Sequence, residues 1–483
     1  MNGSSPDPDS PQDSRARVAI DLGAGSCRVG LLRWREGTPA IEFIHRFANG
    51  PVEQAGGLRW DLEKICAGID EGLRICAEQA PEGIASIGAD GWAVDYVRLN
   101  DDGRPAAAPF CYRDTRNVAA EEAVHAIISP ERLYALAGVQ RLRFNTVYQL
   151  YADRIAGTPA APWVNLPEYV LHRLGGRRVA EYTNATHTGL IDLGTRSWCA
   201  EIFSALDLDI HAAPQLVASG TDLGMLAGPL AALPSYRETR LIAPACHDTA
   251  SAIAGIPAEG DDWAYISSGT WSLIGTVLDR PCTSAEARAQ DFTNLGAAAG
   301  GICFHKSVNG MWLIQQSMEA WAAQGQPWTV ADLIEQAERL TTPDRILDVD
   351  APELLLPGDM PKRINKQLQQ QGLAPIPESP EHAPEFASLI FYSLAARYAE
   401  KISAIQQVTG KQLRRLYIVG GGSQNDLLNR WTAEATGLDV HCCQVESATI
   451  GNFATQLAAS EQTGHGPART DVSRWARKLQ VAI

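Results

Sequence analysis

The sequence predicts an α/β protein in two parts, and three stretches carry that prediction. "VAIDLGAGSCRVGLLRW" (18–34) runs from a hydrophobic strand through a small-residue loop into a second strand. "WAYISSGTWSLIGTVL" (263–278) repeats the plan, with β-branched and aromatic residues flanking a loop of hydroxyl residues and glycine, a hairpin signal. "RRLYIV", "GGGSQN" and "DLLNRWTAEATG" follow one another as strand, glycine loop and helix, where backbone N–H groups and a helix N-terminus face a ligand. Two hairpins of one kind suggest two halves, each with a loop of phosphate size. The expected domains are 16–245 and 246–470.

Taken in order, the elements are these. Residues 1–15 are polar and rich in Pro, Asp and Ser, which predicts a disordered tail with no apolar signal-peptide core. "IASIGADGWAVDYVRLN" (84–100) reads as strand, turn, strand, and "RLRFNTVYQLYADRIAG" (141–157) turns helical near Thr146 and stops at Gly157. The Pro/Gly-rich stretches around 212–245 read as surface connections, with Ala243-Pro244-Ala245 as a hinge between halves. In "EFASLIFYSLAARYAEKISAIQQVTG", Phe386, Leu389, Ile390, Leu394, Tyr398, Ile402 and Ile405 follow helical spacing, and Gly410 suits the stop. Residues 471–483 are expected to be a C-terminal tail.

Composition narrows the function classes. The 483 residues are 45% hydrophobic and 20% charged, the balance of an ordinary soluble globular protein. The net charge is −15 and no Lys/Arg-rich run occurs, which argues against nucleic-acid binding. No apolar run is long enough to span a membrane. Ten cysteines without a C-x-x-C pair suggest neither zinc nor a redox motif, and fit a reducing cytoplasm. An anionic ligand would therefore need local counter-charge from a metal ion, a helix N-terminus or a placed arginine.

The first glycine loop invites a dinucleotide reading, but its context is wrong. The third glycine position of G-x-G-x-x-G holds Arg28, and a strand follows where a helix is required. A hairpin tip cradling phosphates fits better: Gly23 and Gly25 admit close approach, Ser26 offers a hydroxyl, Arg28 a charge, and Asp21 a metal contact through water. A plain tight turn with a surface arginine is the competing reading. "APACHDTASAIAG" (243–255) places His247, Asp248 and Thr249 at a helix start, where they either converge on a ligand or simply cap the helix.

The order of these features, with "HRFANG" (45–50), "YRDTR" (112–116), "FNTVYQL" (144–150), "EYTNATHTGLID" (181–192), "HDTASA" (247–252), "SSGTWSL" (267–273) and "VGGGSQN" (419–425), resembles the FGGY carbohydrate kinases over roughly 17–460. Within that family the likeness is greatest to the branch that phosphorylates L-rhamnulose. The resemblance implies a two-domain actin-like ATPase (ribonuclease H-like) fold with a cleft between domains that closes over its substrates. It implies ATP and Mg²⁺, transfer of the γ-phosphoryl to the 1-hydroxyl of a ketose, and a cytoplasmic enzyme that is a monomer or homodimer. By the family's motif positions, Asp248 is the general base, and His247 and Thr249 touch the sugar. Ala24, Gly25, Ser26, Cys27, Arg28 and Thr270 face the phosphates, Gln315 and Gly421 lie along the nucleotide, and Asp21 supports the metal.

Three positions depart from that branch: Cys27 and Ala93 replace glycines, and Ser307 replaces an asparagine expected to bind sugar hydroxyls. The methyl of Ala93 and the shortened Ser307 alter the sugar side, where one methylene shifts discrimination by about 1–3 kcal/mol. A kinase for another ketose or polyol, such as L-fuculose, is therefore the alternative. The thiol of Cys27 is expected beside the triphosphate, open to modification and protected by ATP. A non-catalytic sugar sensor or an actin-like ATPase is disfavoured by Asp248 and the His-Asp-Thr triplet.

Overall fold

The computed structural model describes residues 13–54, 56–462 and 466–482. Along the chain come β1 (Ala16–Leu22), β2 (Ser26–Arg35), β3 (Thr38–Ala48), α1 (Leu62–Gln79), β4 (Ile84–Gly91) and α2 (Thr146–Ile155). Next are β5 (Thr221–Met225), β6 (Arg240–Ala243), α3 (Asp248–Ala254), β7 (Trp263–Ser268), β8 (Trp271–Leu278), β9 (Thr293–Gly296) and β10 (Ile302–Asn309). Later come α4 (Trp312–Ala323), α5 (Ala383–Thr409), β11 (Arg415–Val419), α6 (Asp426–Thr436), β12 (Asp439–Cys442), α7 (Ser447–Ser460) and α8 (Arg469–Leu479), with further short helices and strands between the named elements.

Two compact units emerge. Unit 1 holds the described residues up to Glu259, then Val277–Phe304 and those from Ser447 onward; unit 2 holds Gly260–Thr276 and His305–Glu446. The first sheet runs β5-β6-β4-β1-β2-β3, and the second runs β9-β10-β8-β7-β11-β12. Each contains an antiparallel hairpin, β1–β2 or β7–β8, whose first strand pairs in parallel with a later strand, β4 or β11. The two similar stretches of sequence thus occupy equivalent places in their sheets.

The turn of the first hairpin depends on Gly23, whose N–H donates to the Ser26 carbonyl at 3.1 Å. A Cβ there would lie 2.4 Å from that oxygen, so a larger residue would force the tip open. Alternation along β1 sends Val18, Ile20 and Leu22 into one core with Ile65, Ile69, Leu73 and Cys76 of α1. Ala19 faces the other way, toward Ile450, Phe453 and Leu457 of α7 and Val472, Trp475 and Leu479 of α8. The sheet is therefore sandwiched between helices.

Several expectations change. The stretch 471–483 is not a tail: most of it is α8, and Trp475 is fully buried. The region 212–245 supplies β5 and β6 to the first sheet. Ala243 to Ala245 lie inside unit 1 with Ala245 fully buried, and the chain passes between units at Glu259–Gly260, so the hinge reading fails. Of the expected N-terminal tail, residues 1–12 lie outside the described residues, while Arg15 pairs with Asp13 at 2.6 Å.

Candidate active-site residues

Parallel pairing of β1 with β4 aligns Asp21 with Asp90, and antiparallel pairing with β2 aligns Asp21 with Arg28. Both aspartates stand at the C-terminal ends of parallel strands, where α/β sheets present their functional groups. Arg28 Nε lies 3.2 Å from Asp21 Oδ2. Asn452 of α7 donates to Asp90 Oδ2 at 2.6 Å, while Asp90 Oδ1, though buried, has no hydrogen-bond partner among the described residues. Gly91 N–H donates to the Cys246 carbonyl at 3.0 Å, and the bridge from Gly91 to His247 sets the start of α3 beside this strand end.

Asp248 thereby joins a carboxylate-rich corner. Burial, then the charge of Asp21, push its carboxyl up to about 7, against hydrogen bonds from Thr249 and the pull of Arg28. Burial and the charges of Asp21 and Asp248 drive Asp90 well above the usual carboxylate range, and burial raises Asp21 despite Arg28. Yet 36% of the Asp248 side chain stays open, enough for a hydroxyl to reach it. A carboxylate that binds its proton near neutrality suits general acid–base work.

The His-Asp-Thr triplet is braced from behind. His247 Nδ1 lies 3.0 Å from His187 Nε2, and His247 Nε2 lies 3.3 Å from Asp248 Oδ1. Thr249 Oγ1 donates to the same oxygen at 3.2 Å. His247 occupies the cap position of α3, but its side chain makes no capping bond. Buried Glu181 accepts from Cys246 N at 3.0 Å, and Thr183 Oγ1 accepts from His247 N at 3.4 Å.

On the expected sugar side, Ala93 is buried in a loop under tension. Its neighbour Val94 has φ 71°, which a β-branched residue adopts at a cost of about 1–3 kcal/mol. The loop is clamped: the Val94 carbonyl accepts from Thr146 Oγ1 at 2.7 Å and from Gln149 Nε2 at 3.2 Å. Asp95 accepts from Trp60 Nε1 at 2.6 Å, Trp92 Nε1 at 3.0 Å, Tyr112 N at 3.2 Å and Gln149 Nε2 at 3.0 Å. Burial outweighs these bonds and lifts Asp95 to about 6.

The hairpin tip holds Ala24, Gly25, Ser26 and Arg28 as expected, with Asn49 pinning it through bonds to the Gly23 and Gly25 carbonyls, each at 3.0 Å. Gly25 faces open space. Cys27 differs from expectation. Alternation along β2 turns its side chain into the core, where it is fully buried and its thiol is pushed up to about 12. Only its backbone belongs to the tip, and the thiol points into the core, away from the loop where the sequence placed it.

Unit 2 gathers most of its own predicted residues. Met311 N and Trp312 N, at the start of α4, donate to the Gly269 and Thr270 carbonyls at 2.9 and 3.2 Å. Thr270 Oγ1 lies 3.4 Å from Gln315 Oε1. The glycine turn after β11 presses on the same hairpin, since a Cβ on Gly422 would lie 1.9 Å from Ser268 Oγ. Gly421 points into open space. Ser307 stands half-buried on β10 in unit 2, whereas Ala93, His247, Asp248 and Thr249 belong to unit 1.

Sequence reasoning did not single out Asp90, Asn452, His187, Asp95 or Gln149. His187 and Gln149 sit in motifs already noted, but their partners are distant in sequence. Asp90 reads as the one charged residue in a largely apolar strand, and only its register with Asp21 exposes it. Among the described residues no three His, Cys, Asp or Glu side chains form a metal cage.

The N-terminal domain profile of the FGGY family of carbohydrate kinases matches residues 16–255, and the C-terminal domain profile matches 264–460. A rhamnulokinase of Enterococcus faecalis is 37% identical over 462 residues, covering 94% of this chain and 92% of its own length. One from Bacteroides thetaiotaomicron is 34% identical over 461 residues, covering 94% and 93%. Among solved structures, a ligand-bound xylulose kinase from Lactobacillus acidophilus matches with TM-score 0.75 at 16% identity, covering 97% of this chain and 96% of its own. A xylulose kinase from Rhodospirillum rubrum gives 0.75 at 14% identity, covering 95% and 92%. At these identities the structural likeness speaks for the fold. No helix among the described residues is long and apolar enough to cross a membrane.

Proposed function

The chain belongs to the FGGY family of carbohydrate kinases, and from that premise we propose that it transfers the γ-phosphoryl of ATP to the 1-hydroxyl of L-rhamnulose, giving L-rhamnulose 1-phosphate. The observation that carries the mechanism is Asp248: a partly open carboxylate at about 7, braced by His247 and Thr249. The 37% identity to a rhamnulokinase across nearly the whole chain supports the sugar.

Phosphoryl transfer has a loose transition state, so alignment and charge matter more than a strong nucleophile. Asp248 accepts the hydroxyl proton as the new O–P bond forms, a contribution of about 10²–10⁴ in rate. His247 and Thr249 fix its carboxylate and meet the sugar, with Ala93 and Ser307 as further sugar contacts. Ala24 to Ser26, Arg28 and Thr270 serve the phosphates, and Gln315 and Gly421 the nucleotide. The residues fit a Mg²⁺ ion held largely through water, because Asp90 Oδ1 is buried without a partner among the described residues and Asp21 stands beside it in register. When bound, Mg²⁺ supplies charge neutralisation at the phosphates.

A second reading, a kinase for another ketose or polyol such as L-fuculose, is favoured by Ala93 and Ser307. An ATP-coupled assay across a panel of ketoses and polyols tests both, with Asp248→Asn alongside. L-rhamnulose is expected to give the highest kcat/KM, and Asp248→Asn to keep sugar binding while losing turnover. A different preferred sugar would replace the substrate and leave the mechanism; undiminished turnover in Asp248→Asn would end the assignment of the base.

A further inference from the structure

At the N-terminal end of the first sheet, away from the carboxylates, unit 1 contains a cavity of about 500 Å³. Strand register builds its floor: Arg17 of β1 pairs with Ser86 of β4, which pairs with Arg240 of β6, so three polar side chains stand in a row on one face. Helix α7 forms the wall over that row with Gln456 and Ser460.

The charges in this cavity do not balance. Arg240 is paired with Asp222 at 2.6 Å, and Arg15 with Asp13 at 2.6 Å. Among the described residues Arg17 is the surplus. Only 1% exposed, it donates to the carbonyls of Asp13 and Arg15 at 3.1 Å each and reaches Ser460 Oγ at 3.5 Å, while its Nε has no partner among the described residues. Its hydrogen bonds reach only carbonyls and a hydroxyl, and the Asp13 and Glu461 carboxylates that act on it from a distance are already paired with Arg15 and Arg474, so the guanidinium has not recovered the hydration it lost. The group that satisfies it best is an oxyanion, which a guanidinium binds with charge-assisted bonds.

We propose that this cavity is a binding site for a small polar metabolite bearing a phosphate or carboxylate, with Arg17 as its charge partner and Arg240, Ser86 and Ser460 around it. The site is separate from the catalytic corner, since Arg17 and Ser86 precede Asp21 and Asp90 by four residues on their strands, roughly 13 Å of extended chain. It is also connected to that corner. One face of α7 bonds Asp90 through Asn452 and Ser86 through Gln456, and reaches Arg17 through Ser460, at spacings of four residues. A ligand that draws on Arg17 therefore acts on the helix that holds Asp90.

Equilibrium dialysis of the full chain against radiolabelled inorganic phosphate tests this, with malonate as the competing carboxylate. The wild type is expected to retain phosphate, and Arg17→Gln and Arg240→Gln to weaken retention by about tenfold or more, the effect of one charge-assisted bond. Arg28→Gln removes phosphate held at the hairpin tip, and the cavity is read from the retention that persists in Arg28→Gln and is lost in Arg17→Gln. Displacement by malonate would assign both anion classes, and no displacement would assign phosphate alone. If Arg17→Gln does not fold, Arg240→Gln, whose side chain is nearly half open, decides the matter. No retention, or retention that falls only in Arg28→Gln, would overturn the site.

Discussion

Asp248 holds its charge against two opponents, lost hydration and the neighbouring Asp21, and Arg28 and the Thr249 donors only partly offset them. Its raised value means the basic form dominates only above about 7. With Asp248 as the base, kcat/KM for the sugar should fall about tenfold per pH unit below that point, since one proton disables the group. A pH–rate profile that stays flat down to pH 5 would remove Asp248 from the role. Asp21, Asp90 and His247 face the same corner, so the inflection belongs to the cluster as a whole. Cys27 makes the opposite case. Its neighbours in sequence place it at the phosphate loop, but strand alternation buries the thiol, and a thiol held at about 12 is a poor nucleophile at neutral pH. Under native conditions a maleimide should label exposed Cys442 and leave Cys27 unlabelled, as peptide mass spectrometry would show; rapid labelling of Cys27 would contradict its burial.

At the scale of elements, the packing of α7 against α3 decides where Asp248 sits. The helices approach so closely that a Cβ on Gly451 would lie 1.8 Å from the Ser251 carbonyl oxygen, and one on Gly255 would lie 2.3 Å from that of Ser447. Gly451→Ala should push α3 away, lower the thermal midpoint and cut kcat at least about tenfold, since small displacements of a catalytic group cost 10²-fold. Gly421→Ala, where the added methyl meets open space, should change stability by no more than about 0.5 kcal/mol. Equal midpoints for the two variants would show that the crossing is not tight. Both hairpins were legible because two-residue periodicity and turn chemistry are local. α5 was legible for the same reason, its long apolar stripe ending at Gly410 with φ 73°. α8 was not: five charged residues mask a narrow buried stripe of Val472, Trp475, Ala476 and Leu479. β5 and β6 were hidden because short strands in Gly/Pro-rich surroundings are fixed by their neighbours in the sheet.

Across the whole molecule, a net charge of −15 coexists with carboxylates buried deep in unit 1, and that combination governs how stability responds to pH. Glu168 and Glu181 are both fully buried; Glu168 accepts from Glu181 N at 3.0 Å and from Asn184 Nδ2 at 2.8 Å. Burial, then the charge of Glu181, lift Glu168 to about 8, and burial lifts Glu181 to about 7. Neither glutamate's burial was visible in the sequence, Glu181 in "EYTNATHTGLID" included, because the charge of a glutamate in sequence says nothing about the water it will lose. The folded state thus binds protons that the unfolded chain has released, and its stability falls as pH rises from the ordinary glutamate range through about 8. Glu168→Gln keeps the shape and removes the proton. A turned Asn184 amide can then accept from the new NH₂ with its Oδ1, which has no partner among the described residues. The wild type should lose thermal midpoint steadily between pH 5 and 8, and Glu168→Gln should flatten that slope and be the more stable protein at pH 8. The gain is bounded at roughly 5 kcal/mol by a shift of this size. Parallel midpoint–pH curves for the two proteins would mean that Glu168 carries its charge at neutral pH in the folded state.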